Sequence, residues 1–276
     1  MILILRGHIR DAFHNQDLKN LVTDMYHMDP TLKIYIHTWN VYSNGVSWRN
    51  VDINPQRVNA QTIESYFNEL APLIQHIIID DDASISLIGN LTGVVANSGM
   101  PLRGWKNYWY GKYKILDYLH QQQCSDTIIN SRFDILDNSN SFSHRDILYF
   151  MDQYKHTSFS RNVFMPTTNG LGVDNLYMGN VYTMYTLANH FVHHLDDIIT
   201  TYSYVKNQEH LVTLVNNQLF ASNYIYLLGV LCMLGLLYLG YTHPTVVPVG
   251  ILLTQLELFD GKGSISEWIG SVSDTD

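Results

Sequence analysis

Arg132 and Asp134, two residues apart where an apolar run ends, are the pair on which chemistry can be built. In extended chain, residues two apart point the same way, so the guanidinium and the carboxylate share one face while Phe133 turns into the body of the protein. A carboxylate so placed can hold a divalent cation, and the guanidinium can take a phosphate or brace the carboxylate. Asp80 and Asp82, within the triplet Asp80-Asp81-Asp82, present a second pair of hard oxygen donors with DxD spacing and compete for the metal role. A third group is Arg6-Gly7-His8-Ile9-Arg10, where glycine lets backbone approach an anion between two arginines. Thr38-Trp39-Asn40 sets an aromatic ring and an amide where a base or sugar can be met. Asp174 closes a loop containing Gly170 and Gly172 and reads as the N-cap of a helix through Tyr182 and Tyr185. His190 and His194 have helical zinc-site spacing, but no glutamate follows His190, so an exposed polar helix face is expected.

These groups recur at one kind of place, the carboxyl end of a short apolar run. Ile2–Leu5, Lys33–His37, Ile74–Ile79, Thr127–Asn130 and Asn162–Met165 read as strands. Between them, Asp17–His27, Ala60–Leu70, Trp105–Gln121 and Arg145–Gln153 carry apolar stripes at helical spacing. Strand-helix alternation predicts an α/β fold, a Rossmann-like, mostly parallel central sheet flanked by helices. Ligands of such sheets bind beyond the carboxyl ends of the strands.

Composition narrows the classes. The 276 residues are 46% hydrophobic and 15% charged, enough to bury a large core and unlike a disordered chain. A net charge of -9 is a poor footprint for nucleic acid, so no nucleic-acid partner is expected. Two distant cysteines, Cys124 and Cys232, without a CxxC pair, predict free thiols. Residues 1–220 read as one domain, and 221–276 as an apolar C-terminal segment. Asn223–Tyr241 has no charged side chain and, as a helix, spans about 28 Å. It reads as a membrane anchor or as a helix closing the domain.

The ordered set Arg6-Gly7-His8-Ile9-Arg10, Ile36-His37-Thr38-Trp39-Asn40, Asn107-Tyr108-Trp109-Tyr110, Asn130-Ser131-Arg132-Phe133-Asp134 and Asp174-Asn175-Leu176-Tyr177-Met178-Gly179 resembles viral and bacterial surface-polysaccharide glycosyltransferases with a GT-A-like fold. The resemblance covers roughly residues 1–200. It implies transfer of a sugar from a nucleotide-sugar donor to a glycan acceptor in surface or capsid glycan synthesis, in a cytoplasmic setting with or without membrane attachment. It implies a nucleotide over Gly7, His8, Arg10, Thr38 and Trp39, with Arg132 beside it. Asp134 would be the ligand of Mn²⁺ or Mg²⁺, although Arg132 stands where the family has its first acidic residue. Asp174 would face the acceptor, as general base in an inverting reaction or only orienting substrate in a retaining one. A catalytically inactive carbohydrate- or nucleotide-binding protein on the same fold is the alternative.

Overall fold

Every residue of the first strand, Ile2-Leu3-Ile4-Leu5-Arg6, is buried. Leu3 and Leu5 join one hydrophobic cluster, Ile2 and Ile4 another, so the strand lies between two cores. This is why the apolar run shows no alternation with polar residues. Fully burying an aliphatic side chain stabilises by about 1.5–3 kcal/mol, which makes this strand a principal anchor of the sheet.

The computed structural model describes residues 1–45, 52–95, 99–137, 142–166, 172–205 and 207–220. In chain order the elements are β1 (Ile2–Arg6), α1 (Asp17–Met28), β2 (Lys33–Trp39), β3 (Val41–Ser43), β4 (Asn54–Arg57), α2 (Ala60–Phe67), a 3-10 turn (Asn68–Leu73), β5 (Ile74–Asp80), β6 (Val94–Val95), β7 (Met100–Pro101), α3 (Leu102–Gln121), β8 (Thr127–Arg132), α4 (His144–Tyr154), β9 (Val163–Pro166), β10 (Gly172–Asn180) and α5 (Val181–Thr201). Residues 208–220 form a further helix, α6. Met1–Phe220 is one compact unit.

The main sheet has the order β5-β2-β1-β8-β10-β9. Its first four strands are parallel, and β10 runs antiparallel to both its neighbours, β8 and β9. The protein is thus mixed α/β with a mostly parallel central sheet flanked by helices. Buried residues of α1, α2 and α4, among them Leu21, Phe67 and Phe150, join the cluster of Leu3 and Leu5. Trp105 and Trp109 of α3 and Phe191 of α5 join that of Ile2 and Ile4, with the Trp109 and Phe191 rings stacked 4.0 Å apart. β2 follows β1 on one side, while β8 lies on the other. The strand order therefore reverses between β1 and β8, and a crevice opens at such a switch point.

Two expectations change. The helix from Ala60 ends at Phe67, because Asn68 has a left-handed φ of 49° and a 3-10 turn containing Pro72 follows. Between β2 and α2, β3 and β4 form a two-stranded ribbon. Asp174 is not a helix cap: it lies inside β10, and α5 begins only at Val181. Leu176 and Met178 face one core and Tyr177 the other, a period of two that holds this stretch in the sheet. The cap is Asn180, whose side chain accepts from the Thr183 N–H at 2.8 Å. Among the described residues no helix is long and apolar enough to cross a membrane. The expected segment Asn223–Tyr241 and the loop residues 167–171 lie outside the described residues.

Candidate functional site

The carboxyl ends of four neighbouring strands bring the site together. Arg6 on β1 is the Cα partner of His37 on β2 and of Arg132 on β8. Asn175 on β10 lies one residue beyond the Leu176–Ser131 pair, beside the end of β8. Above this row is a cleft, open to solvent, lined by Arg6, Gly7, His8, Arg10, Trp39 and Arg132. Asn107 and Tyr108 of α3, Asn175, and Gln208 and Glu209 of α6 complete its polar wall.

Asp134 is held between two arginines. Arg132 donates Nε to Oδ1 and Nη2 to Oδ2, both at 2.6 Å, and Arg10 donates Nη1 to Oδ2 at 2.7 Å. Burial alone would lower the Arg132 pKa, but the Asp134 charge outweighs it and the net direction is up. Phe133, between them in sequence, is buried against Phe13. Arg10 reaches Asp134 because the loop after β1 turns back, with Gly7 at φ +92° and Arg10 at φ +53°. Gly7 donates its N–H to the His37 carbonyl, and the Thr38 hydroxyl donates to the Gly7 carbonyl at 2.9 Å. Thr38 is buried and is absent from the cleft lining, so it braces the loop.

Arg6 is locked beneath the cleft. Its Nε donates to Asn130 Oδ1 at 2.8 Å, and Nη2 donates to the Tyr108 hydroxyl at 2.8 Å and the Asp174 carbonyl at 3.0 Å. The same carbonyl accepts from the Tyr108 hydroxyl at 2.7 Å and Lys112 Nζ at 3.1 Å. Lys112 is fully buried, with its ammonium 4.0–4.8 Å from the ring centroids of Trp109, Tyr108 and Tyr177. Burial, then Arg6, push its pKa well below the usual lysine range, against the pull of Asp174. The Asp174 side chain is also buried, and among the described residues neither carboxylate oxygen has a hydrogen-bond partner. Asp174 does not line the cleft; its neighbour Asn175 does.

His8 lies against the Trp39 ring, with centroids 5.9 Å apart. Burial, then Arg10 and Arg132, lower its pKa to about 3, so the imidazole is neutral across the physiological range. Trp39 also stacks on Tyr110 at 6.1 Å, which makes it a wall of the cleft more than a free platform. His37 bonds Asp80 at 3.2 Å. Asp82 takes Asn44 instead, and Asp81 Oδ1 accepts from the Ala83 N–H. The acidic triplet is thus divided among separate structural partners. The rings of His190 and His194 are 5.2 Å apart on α5.

Among the described residues no group of three or more histidine, cysteine, aspartate or glutamate side chains is arranged to hold a metal ion. Asp134 is the carboxylate expected to do so, yet both its oxygens accept from guanidinium groups. This donor set does not fit Mn²⁺ or Mg²⁺, which need several oxygen ligands with free lone pairs.

No pattern in the sequence marks a role for Asn107, Gln208, Glu209 or Lys112. Asn107 and Tyr108 belong to a helix whose Gly111 permits close approach to β2; a Cβ on Gly111 would stand 2.6 Å from His37 Nδ1. That glycine, inside an aromatic-rich helix, was the available signal. No family model matches the chain, and no curated protein matches it.

Proposed function

We propose that the protein is a glycosyltransferase with a GT-A-like fold that takes a nucleotide-sugar in the cleft beyond β1 and β8. The observation that carries this reading is the convergence of Arg10 and Arg132 on the cleft at the point where strand order reverses, with Arg6 packed beneath them. Guanidinium groups there suit the negative charge of a diphosphate, and Gly7 leaves open space for backbone approach. Arg10 and Arg132 stabilise the charge that builds on the departing nucleoside diphosphate, the role otherwise filled by a cation. The nucleoside lies toward His8 and Trp39.

In the transfer step the bond between the sugar's anomeric carbon and the diphosphate oxygen breaks. The acceptor hydroxyl oxygen bonds to that carbon, and its proton passes to a carboxylate. Glu209 is the carboxylate that lines the cleft among the described residues, so we assign it the proton in an inverting transfer, in place of Asp174. The test is nucleoside diphosphate release from a panel of nucleotide-sugars by the full chain, with Arg132→Ala and Glu209→Gln as controls. Release that falls at least ~10²-fold in Glu209→Gln, with donor binding kept, supports the assignment. Binding without turnover for every donor and acceptor tried favours the inactive binding protein, a reading supported by the double capture of Asp134.

A further inference from the structure

Lys112 is the buried amine that the transfer step leaves unused. Among the described residues its Nζ has one hydrogen-bond acceptor, the Asp174 carbonyl at 3.1 Å. That oxygen also accepts from Arg6 Nη2 at 3.0 Å and from the Tyr108 hydroxyl at 2.7 Å, so three donors share two lone pairs. Around the rest of Nζ stand the rings of Trp109, Tyr108 and Tyr177, with centroids at 4.0, 4.1 and 4.8 Å. The Asp174 carboxylate makes no hydrogen bond to it. The ring faces can hold an ammonium, but burial and a guanidinium bonded to the same oxygen oppose one.

The charges acting on Lys112 connect it to the cleft. Arg6 on β1 and Arg132 on β8 disfavour its ammonium, while Asp174 on β10 favours it. Burial pushes the Tyr108 and Tyr177 phenols up, so both stay neutral. Arg132 lines the cleft and Arg6 lies beneath it. An anion seated there offsets the two charges that keep a proton off Lys112.

We propose that Lys112 takes up a proton as a diphosphate enters the cleft and becomes the cation beneath the bound anion. This rests on the nucleotide-sugar reading of the cleft. The proton comes from solvent and joins the Nζ lone pair, with no other bond made or broken. It returns to solvent when the nucleoside diphosphate leaves. The coupling is reciprocal: protonation of Lys112 raises diphosphate affinity by the factor by which diphosphate raises its proton affinity. Affinity is therefore highest below the pKa of Lys112 in the empty protein and falls as pH rises through it.

Calorimetric titration of the full chain tests this from about pH 5 to 10, the range a depressed lysine can occupy. The probes are uridine diphosphate and inorganic sulfate, whose own charge is constant there. Each is run in two buffers of unequal ionisation enthalpy, and the difference in heat counts the protons taken up. The wild type should take up as much as about one proton per anion within this range, and Kd should rise there by up to ~10-fold per pH unit. Lys112→Met, an apolar chain of similar length, should bind sulfate without that uptake. Uptake kept in Lys112→Met belongs to another group, such as His8 at the acid end, and overturns the proposal. Should Lys112→Met fail to fold, His8→Gln takes its place: uptake that survives it sustains the proposal, and uptake that disappears overturns it. Nucleotide binding with no uptake at any pH overturns the proposal and leaves the transferase reading standing. Sulfate binding with uptake, and no nucleotide binding, sustains the proposal and ends the transferase reading. Binding of neither anion ends both.

Discussion

The Arg132 guanidinium grips both oxygens of the Asp134 carboxylate, Nε on Oδ1 and Nη2 on Oδ2, each at 2.6 Å. Arg10 adds a third bond from the loop after β1, 124 residues earlier in the chain. The side chains are 17%, 16% and 7% exposed for Arg10, Arg132 and Asp134, so solvent screens this triad only partly. Removing the carboxylate leaves two cations facing each other. Asp134→Asn should lower the unfolding free energy by about 3 kcal/mol, read from the denaturant midpoint. It should also tighten nucleoside diphosphate binding, because the anion then replaces the lost counter-charge. Weaker binding, together with loss of a Mn²⁺-induced rise in melting temperature, would restore Asp134 as a metal ligand.

Arg132 should matter as a fork and not only as a charge. Arg132→Lys keeps the charge but loses the two-pronged geometry. We expect nucleoside diphosphate affinity to fall roughly 10-fold in Arg132→Lys and about 100-fold in Arg132→Ala, measured by titration at fixed salt.

His8 sets an acid-side signature. Its pKa is 6.5 in the unfolded chain and about 3 in the folded one, lowered by burial and by the Arg10 and Arg132 charges. Between these values the unfolded chain holds the proton and the native chain does not. Its contribution to stability is therefore complete above pH 6.5 and is lost as pH falls toward 3. Through most of that window His8→Gln should reduce the slope of unfolding free energy against pH by about 1.4 kcal/mol per pH unit. His37, lowered by burial against the opposing pull of Asp80, contributes with the same sign, so some slope should remain.

Two glycines should fail for different reasons. A Cβ at Gly111 meets the His37 ring at 2.6 Å, so Gly111→Ala should push α3 off the sheet and destabilise by about 1–3 kcal/mol. At Gly7 there is open space, but the φ of +92° disfavours any side chain. Gly7→Ala should cost about 1–2 kcal/mol and shift the loop that carries Arg10, weakening diphosphate binding as well. Chemical denaturation and the same titration separate the two cases: in Gly111→Ala stability falls more than affinity.

The sequence by itself determined the elements and the level at which they meet. Ile2 to Leu5, apolar at every position, could only be a strand buried on both faces, and Arg6 had to follow at its end. The spacing of Arg132 and Asp134 made them neighbours because alternation in extended chain is a local property. The stripe Leu18, Leu21, Val22 and Met25 fixed the buried face of α1 for the same reason. Tertiary structure decided what those neighbours do. Arg10 joins Asp134 through a left-handed loop, and Arg6 is the register partner of Arg132 through parallel pairing; neither is a relation of spacing. Asp174 illustrates the limit most plainly. After two glycines it looked like a helix cap, but pairing of β10 with β8 drew it into the sheet, buried its carboxylate and turned Asn175 to the cleft. Lys112 could not be recognised as buried, because its cage combines Tyr108 and Trp109 of its own helix with Tyr177 of β10. Such contacts join residues far apart in the chain, and their energies arise only once the layers close.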